Sequence, residues 1–335
     1  MGWLGTLAVI AAVAAAVIVM PDRVMNLVIR LLFRALTVRE KVSPTCASSA
    51  EYCAFKHVTS LGKLPGDPSL DEIRSMTAKY SWLMPLDPNV QTYEVKALGV
   101  DCMHLDTAKE DNATTILHFH GGGLVSGSAD VYKGALAPLA QRVPADVLIP
   151  RYRLAPEFTV PEIVNDAVNA YKWLSKEKNA SDIILWGDSA GGALAMLLLQ
   201  ELIQDKAQLP RAVILVSPVT DMTYASYEPS ETDPVSNAGV LKFLQKQFQN
   251  TPHSILSMSA DTLSALPPVY IAAGKSEWGY TGISQLHSML QSAGVNATLE
   301  AAENMPHVFS LFYDWIPEGQ GSVSKIVDFM KSLNK

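Results

Sequence analysis

The stretch that most constrains the fold of this chain is Gly187-Asp188-Ser189-Ala190-Gly191-Gly192. An apolar run, Asp182-Ile183-Ile184-Leu185-Trp186, precedes it, and the helix-forming run Ala193-Leu194-Ala195-Met196-Leu197-Leu198-Leu199 follows. Together they predict a buried strand, a sharp glycine-bounded turn and a helix, with one serine at the apex. Such a turn strains its central residue, so glycine must stand wherever a Cβ would strike the neighbouring strand or helix. The Ser189 hydroxyl is thereby held in the open. A serine in water is a poor nucleophile, so the motif calls for three further parts: a histidine to take the proton, a carboxylate to orient it, and amide donors for an oxyanion. Small residues also fill ordinary strand-to-helix turns, and the presence or absence of these parts decides between the two readings.

The donors are expected at His120-Gly121-Gly122-Gly123, directly after the strand-like Thr114-Thr115-Ile116-Leu117-His118-Phe119. Three consecutive glycines cost backbone entropy, and a site that uses them needs bare backbone close to a ligand. Here the amide of Ala190, just after the serine, would join them. The base should lie on a loop after the last strand, which is where Asn304-Met305-Pro306-His307-Val308-Phe309 places His307. The acid should follow the preceding strand, in the order serine, acid, histidine. Glu277, in Gly274-Lys275-Ser276-Glu277-Trp278, is the carboxylate at that strand end, against the plain reading of a solvated loop glutamate. His118 points to the opposite strand face from Phe119 and is given no role. His57, His104, His253 and His287 read as surface or packing residues.

With 335 residues, 48% hydrophobic and 18% charged, the chain can bury a full core as one large domain with additions. A net charge of -7, with no basic cluster except near the N-terminus, argues against nucleic acid as a partner. Cys46, Cys53 and Cys102 have no metal-ligand spacing; one bridge at most can form, so the count does not assign a redox compartment.

Residues 2–20 carry no charge and are dominated by Leu, Ile, Val and Ala. As a helix they would reach about 28 Å at ~1.5 Å per residue, enough to cross a hydrocarbon core. The small residues around Ala14-Ala15-Ala16 suit a cleaved signal peptide instead, but no basic side chain precedes the run, which favours an uncleaved anchor. From Val24 to Leu36 an otherwise apolar helix carries Arg30 and Arg34 at i,i+4. It either lies on a membrane surface or packs on the catalytic domain as a first cap helix. Arg23, Arg30, Arg34, Arg39 and Lys41 all follow the span and favour a cytosolic domain, whereas the sequons at Asn112, Asn179 and Asn296 suit a glycosylated lumenal one.

Residues 43–89, broken by Pro44, Pro65, Pro68, Pro85 and Pro88, read as a lid or cap, and Thr92 to Val100 as an outer antiparallel strand. From Thr114 onward apolar strands at 114–119, 146–149, 182–186, 212–216, 269–273 and 297–300 alternate with helices, among them 161–177, 283–293 and 323–333. This alternation predicts a parallel sheet covered on both faces. A less regular stretch from about 222 to 266 returns to the cap.

These motifs, extended by Tyr152-Arg153-Leu154-Ala155-Pro156-Glu157 with Pro161 and Asp166, and by Ser217-Pro218 with Asp221, resemble the hormone-sensitive-lipase branch of the α/β-hydrolases over roughly residues 114–335. That group includes arylacetamide deacetylase and the fungal steryl acetate deacetylases. The resemblance implies an α/β-hydrolase fold with a mostly parallel central sheet, helices on both faces and a helical cap, preceded here by an N-terminal transmembrane helix. The domains would be an anchor at 1–20, a basic amphipathic linker at 21–42 and the catalytic domain at 43–335, with its cap from about 43–90 and 222–266. It also implies Ser189 as nucleophile, His307 as base, Glu277 as acid, and an oxyanion hole of Gly121, Gly122, Gly123 and Ala190, in which Gly121 shapes the loop. His120 and Asp188 would support it from behind.

One departure stands out: many relatives carry Asp and then an apolar residue and Leu where this chain has Glu277-Trp278-Gly279-Tyr280. The implied activity is that of a membrane-anchored serine carboxylesterase or deacetylase of lipophilic short-acyl esters, needing neither cofactor nor metal. It would be a single-pass protein of the endoplasmic reticulum membrane. A non-catalytic small-molecule receptor on the same fold, as in the gibberellin receptors, and an amidase with the same triad are the alternatives. The oligomeric state is left open.

Overall fold

The computed structural model describes residues 22–333 except 44, 61–63, 65, 80–85, 108–113, 144, 231, 236 and 252. Three helices come first, α1 (Asp22–Val42), α2 (Ala50–Ser60) and α3 (Leu70–Lys79). The sheet then begins with β1 (Gln91–Ala97), β2 (Val100–Asp106) and β3 (Thr114–Phe119), followed by α4 (Ala129–Ala140) and β4 (Ala145–Pro150). The alternation continues through α5 (Val160–Glu177), β5 (Ile183–Asp188), α6 (Ala190–Gln204) and β6 (Ala212–Val216). Two helices, α7 (Ala238–Phe248) and α8 (Ala260–Ser264), interrupt it before β7 (Val269–Gly274), α9 (Tyr280–Ser292), β8 (Ala297–Ala302) and α10 (Pro317–Ser332).

The strands form one sheet in the order β1-β2-β4-β3-β5-β6-β7-β8. Among the described strands, the β1–β2 and β2–β4 pairings are antiparallel and the rest parallel. Side chains alternate across it. Leu185, Leu215 and Ile271 pack with Ile163 and Ala167 of α5 and with Leu194 and Leu198 of α6. Ile184, Trp186, Ile214 and Val216 face the other way, toward Leu136 of α4 and Val323, Ile326 and Met330 of α10. Each large apolar side chain taken out of water contributes about 1.5–3 kcal/mol, so burial on both faces holds these strands more than intrinsic propensity does. α5 starts where Glu162 accepts both the amide and the hydroxyl of Thr159 at 2.8 Å, with Pro161 in the first turn.

Three local expectations change. The strand expected over 92–100 is a hairpin, because Leu98 and Gly99 take positive φ (48° and 95°) and form a two-residue turn between β1 and β2. α9 and α10 begin at Tyr280 and Pro317, earlier than apolar periodicity alone indicated. The amphipathic stretch 21–42, open in sequence between a membrane surface and the domain, is from Asp22 onward a helix longer than the expected 24–36 and seated on the domain. Ile29 and Leu36 are buried, Phe33 meets Trp315 edge-on at 5.1 Å, and the Arg30 guanidinium lies 4.8 Å from the Trp315 ring. Its outer side leaves Leu27, Leu31, Val38 and Val42 exposed. The transmembrane helix expected over 1–20 lies outside the described residues. Among those described, no helix is long and apolar enough to cross a membrane.

α3 and α7 stand over Ser189 at the carboxyl end of β5, where both line the same cavity. A disulfide joins Cys46 to Cys53, at the start of α2. Arg74 of α3 ties cap to body: it donates to Val125 O and Ala155 O and pairs through both terminal nitrogens with the Glu157 carboxylate at 2.7 Å.

Candidate active site

Ser189 sits between β5 and α6 with φ 52° and ψ −123°, a backbone geometry that few non-glycine residues adopt. Its neighbours explain the glycines. A Cβ on Gly191 would lie 2.0 Å from Phe119 O, and one on Gly187 would lie 2.3 Å from Gly191 O; both obstacles are backbone atoms. The turn is also pinned from the next strand, since Ser189 N donates to Val216 O and Val219 N to Ser189 O.

The structure brings together three side chains from distant parts of the sequence. Ser189 Oγ is 2.8 Å from His307 Nε2, and His307 Nδ1 is 2.5 Å from Glu277 Oε2. Glu277 is buried at the end of β7, and its Oε1 accepts the Gly274 amide at 3.2 Å. The Ser217 hydroxyl accepts the Val308 amide at 2.9 Å and is a further partner of Glu277. Burial drives the imidazole of His307 down, but the hydrogen bond and charge of Glu277, with Asp233 and Asp188 beyond, outweigh it and leave its pKa above the ordinary 6.5. Burial raises the Glu277 carboxyl, and the bond from His307 partly offsets this.

Behind the glycine loop stands Asp188. Its Oδ2 accepts the Gly121 amide at 3.1 Å and the Tyr132 hydroxyl at 2.8 Å, and its Oδ1 lies 3.2 Å from His118 Nε2. The Gly121 amide is thus taken up within the loop. The same amide also lies 3.1 Å from the Tyr132 oxygen. Gly122 and Gly123 take φ 117° and 66° and line the cavity beside Ser189, and Ala190 is the first residue of α6, where an amide has no partner within the helix. His120 is buried under the loop, stacked on Tyr152 at 4.3 Å; Tyr152 donates to His120 O at 2.6 Å. Burial pushes the His120 imidazole down to about 4, so it serves as a neutral prop. Burial also holds the phenols of Tyr132 and Tyr152 well above their usual range, so both remain hydroxyl donors.

Sequence reasoning missed several contributors. His118, left without a role, stands against Asp188. Asp233, fully buried in the cap loop before α7, accepts the backbone amide of His307 at 3.1 Å. Its only local signal is an Asp-Pro pair, which marks a turn but not a destination. Trp278 lies with its ring 4.8 Å from that of His307. His57, His104, His253 and His287 lie away from the cavity. A cavity of about 190 Å³ opens over Ser189 and His307, walled by Ile73 and Met76 of α3, Val240, Leu241 and Leu244 of α7, and Trp278, Leu311 and Phe312. Among the described residues, no group of three or more His, Cys, Asp or Glu side chains is arranged to hold a metal ion.

Residues 116–311 match a family defined by the alpha/beta hydrolase fold. An esterase of Acinetobacter venetianus is 28% identical over 261 residues, covering 75% of this chain and 86% of that protein. An acetyl-hydrolase of Streptomyces hygroscopicus is 29% identical over 232 residues, covering 67% and 77% respectively. The crystal structure of an esterase from the bacterial hormone-sensitive lipase family superposes with a TM-score of 0.77 at 29% identity, over 86% of this chain and 99% of that one. Sheet order, the strained serine turn and these relatives agree, and the chain belongs to the hormone-sensitive-lipase-like branch of the α/β-hydrolases.

Proposed function

We propose that the protein is a membrane-anchored serine carboxylesterase that removes short acyl groups, acetyl foremost, from lipophilic alcohols. One observation carries the catalytic part: the hydrogen-bonded series Ser189–His307–Glu277 opens into an apolar cavity that Gly122 and Gly123 also line. In this reading Ser189 Oγ attacks the ester carbonyl while His307 Nε2 takes its proton, and Glu277 stabilises the imidazolium. The carbonyl oxygen, now an oxyanion, is held by the amides of Gly122, Gly123 and Ala190, each such donor being worth about 10²- to 10³-fold in turnover. His307 then gives its proton to the departing alcohol oxygen. Water, deprotonated by the same imidazole, attacks the acyl-serine and releases the acid. The apolar walls favour a lipophilic substrate, and an acetyl-hydrolase among the relatives favours a small acyl group.

The membrane part is supported by the uncharged run over 2–20 and by the exposed apolar stripe of α1, where Leu27 is 59% and Val42 82% exposed beside Arg34 and Lys41. The Cys46–Cys53 disulfide and the exposed sequon residues Asn179 and Asn296 favour the oxidising, lumenal side of the endoplasmic reticulum. The test of the catalytic reading is hydrolysis of p-nitrophenyl acetate by the full chain. Ser189→Ala should abolish turnover and fluorophosphonate labelling together while leaving the thermal melt in place. Retained turnover in that variant would refute the assignment. Resistance to carbonate extraction, and a mobility shift on glycosidase treatment, test the membrane and lumenal parts separately.

A further inference from the structure

Trp278 directly follows Glu277, and the structure shows what it faces. The indole lies 4.8 Å from the His307 ring, with 35° between the planes. The same indole also packs on Tyr227 at 4.5 Å and Tyr224 at 6.1 Å. This backing is rigid. The Tyr227 oxygen accepts the amides of Thr220 and Asp221 at 2.7 and 2.8 Å, and both tyrosines are buried. Trp278 is therefore packed against both a fixed aromatic cluster and the imidazole, and it also lines the cavity.

The groups around His307 divide by direction. Glu277 meets Nδ1, Ser189 meets Nε2, Asp233 takes the backbone amide, and Asp188 acts from the end of β5. The charged members are all carboxylates, and the two bonds to the ring lie in its plane. The indole meets the ring's face. An aromatic face attracts a cation, and the imidazole becomes one in the transition states of both acylation and deacylation.

We infer that Trp278 is a positioning residue of the reaction, whose indole holds the His307 ring in the plane that reaches Ser189 and Glu277 together and stabilises the imidazolium formed there. This rests on the triad reading above. Its failure is separable from that of the triad, because the triad is tested by Ser189→Ala and this inference only among variants that retain Ser189.

The experiment compares Trp278→Phe, which keeps a ring, with Trp278→Leu and Trp278→Met, which do not. Each is made in the full chain and assayed with p-nitrophenyl acetate from pH 5 to 9. The ringless variants should lose about 3- to 30-fold in kcat with KM little changed, the range expected for one cation–π contact. The acidic limb of their pH profile should move to lower pH, because an imidazolium without the ring gives up its proton more readily. Trp278→Phe should recover most of the rate and the position of the limb. Equal losses in Phe, Leu and Met, a change confined to KM, or an unmoved acidic limb would each overturn the inference. Two ringless variants of different shape are included so that if one fails to fold the other still decides.

Discussion

Replacing Glu277 by Gln changes one atom and, by the geometry of the site, the tautomer of the histidine. Glu277 Oε1 accepts the Gly274 amide, and Oε2 meets His307 Nδ1. In the glutamine variant the side-chain oxygen is held at the Gly274 amide, so its NH₂ faces Nδ1. His307 must then accept at Nδ1 and carry its hydrogen on Nε2, toward Ser189, where it cannot take the serine proton. The productive tautomer requires the amide to flip, which sets NH₂ against the Gly274 N–H and leaves two buried donors without acceptors. At about 1–3 kcal/mol for each unsatisfied group, the flip costs about 2–6 kcal/mol. With about 1.4 kcal/mol per decade, kcat should fall between roughly 30-fold and 10⁴-fold. The unflipped form keeps the bonds to the Gly274 amide and to His307, so the fold should be retained. The assay is p-nitrophenyl acetate turnover beside a thermal melt. A folded Glu277→Gln enzyme within about threefold of the wild-type kcat would refute the claim that this carboxylate sets the tautomer.

Two further outcomes follow from the same geometry. Asp188→Ala removes the acceptor of the Gly121 amide and the Tyr132 hydroxyl; at about 1.5–3 kcal/mol for each bond to a charged group, it should cost about 3–6 kcal/mol and lower kcat at least tenfold, read by denaturant unfolding and ester turnover, and an unchanged midpoint would count against it. Because the His307 pKa is raised, ester turnover should fall on the acid side from a midpoint above 6.5, whereas the stability contributed by its proton is full below the unfolded value of about 6.5 and is lost as pH rises through the folded one. Unfolding free energy followed with pH in wild type and His307→Gln should show that difference, and parallel curves would contradict it.

The serine turn and the alternation that follows it were legible because both are local. A strand, a glycine-bounded bend and a helix are spelled out within about twenty residues, and the glycines are demanded by backbone atoms such as Phe119 O. His307 and Glu277 could be named from chain order at strand ends, but their contact could not, since parallel strands bring together segments far apart in sequence. The β1–β2 hairpin was hidden because Leu98 occupies a turn position in an apolar-looking run. Asp233 and Trp278 were illegible for a different reason: a buried carboxylate or an aromatic ring has no periodicity, and its meaning lies in what it faces. The amino-acid sequence alone thus determined the class of fold and the chemical parts, through backbone sterics and hydrophobic alternation. Only the tertiary structure decided that Gly121 is bound by Asp188, that Asp233 holds the histidine loop and that an indole packs against the imidazole, because each of these is a contact between segments that covalent connectivity leaves independent.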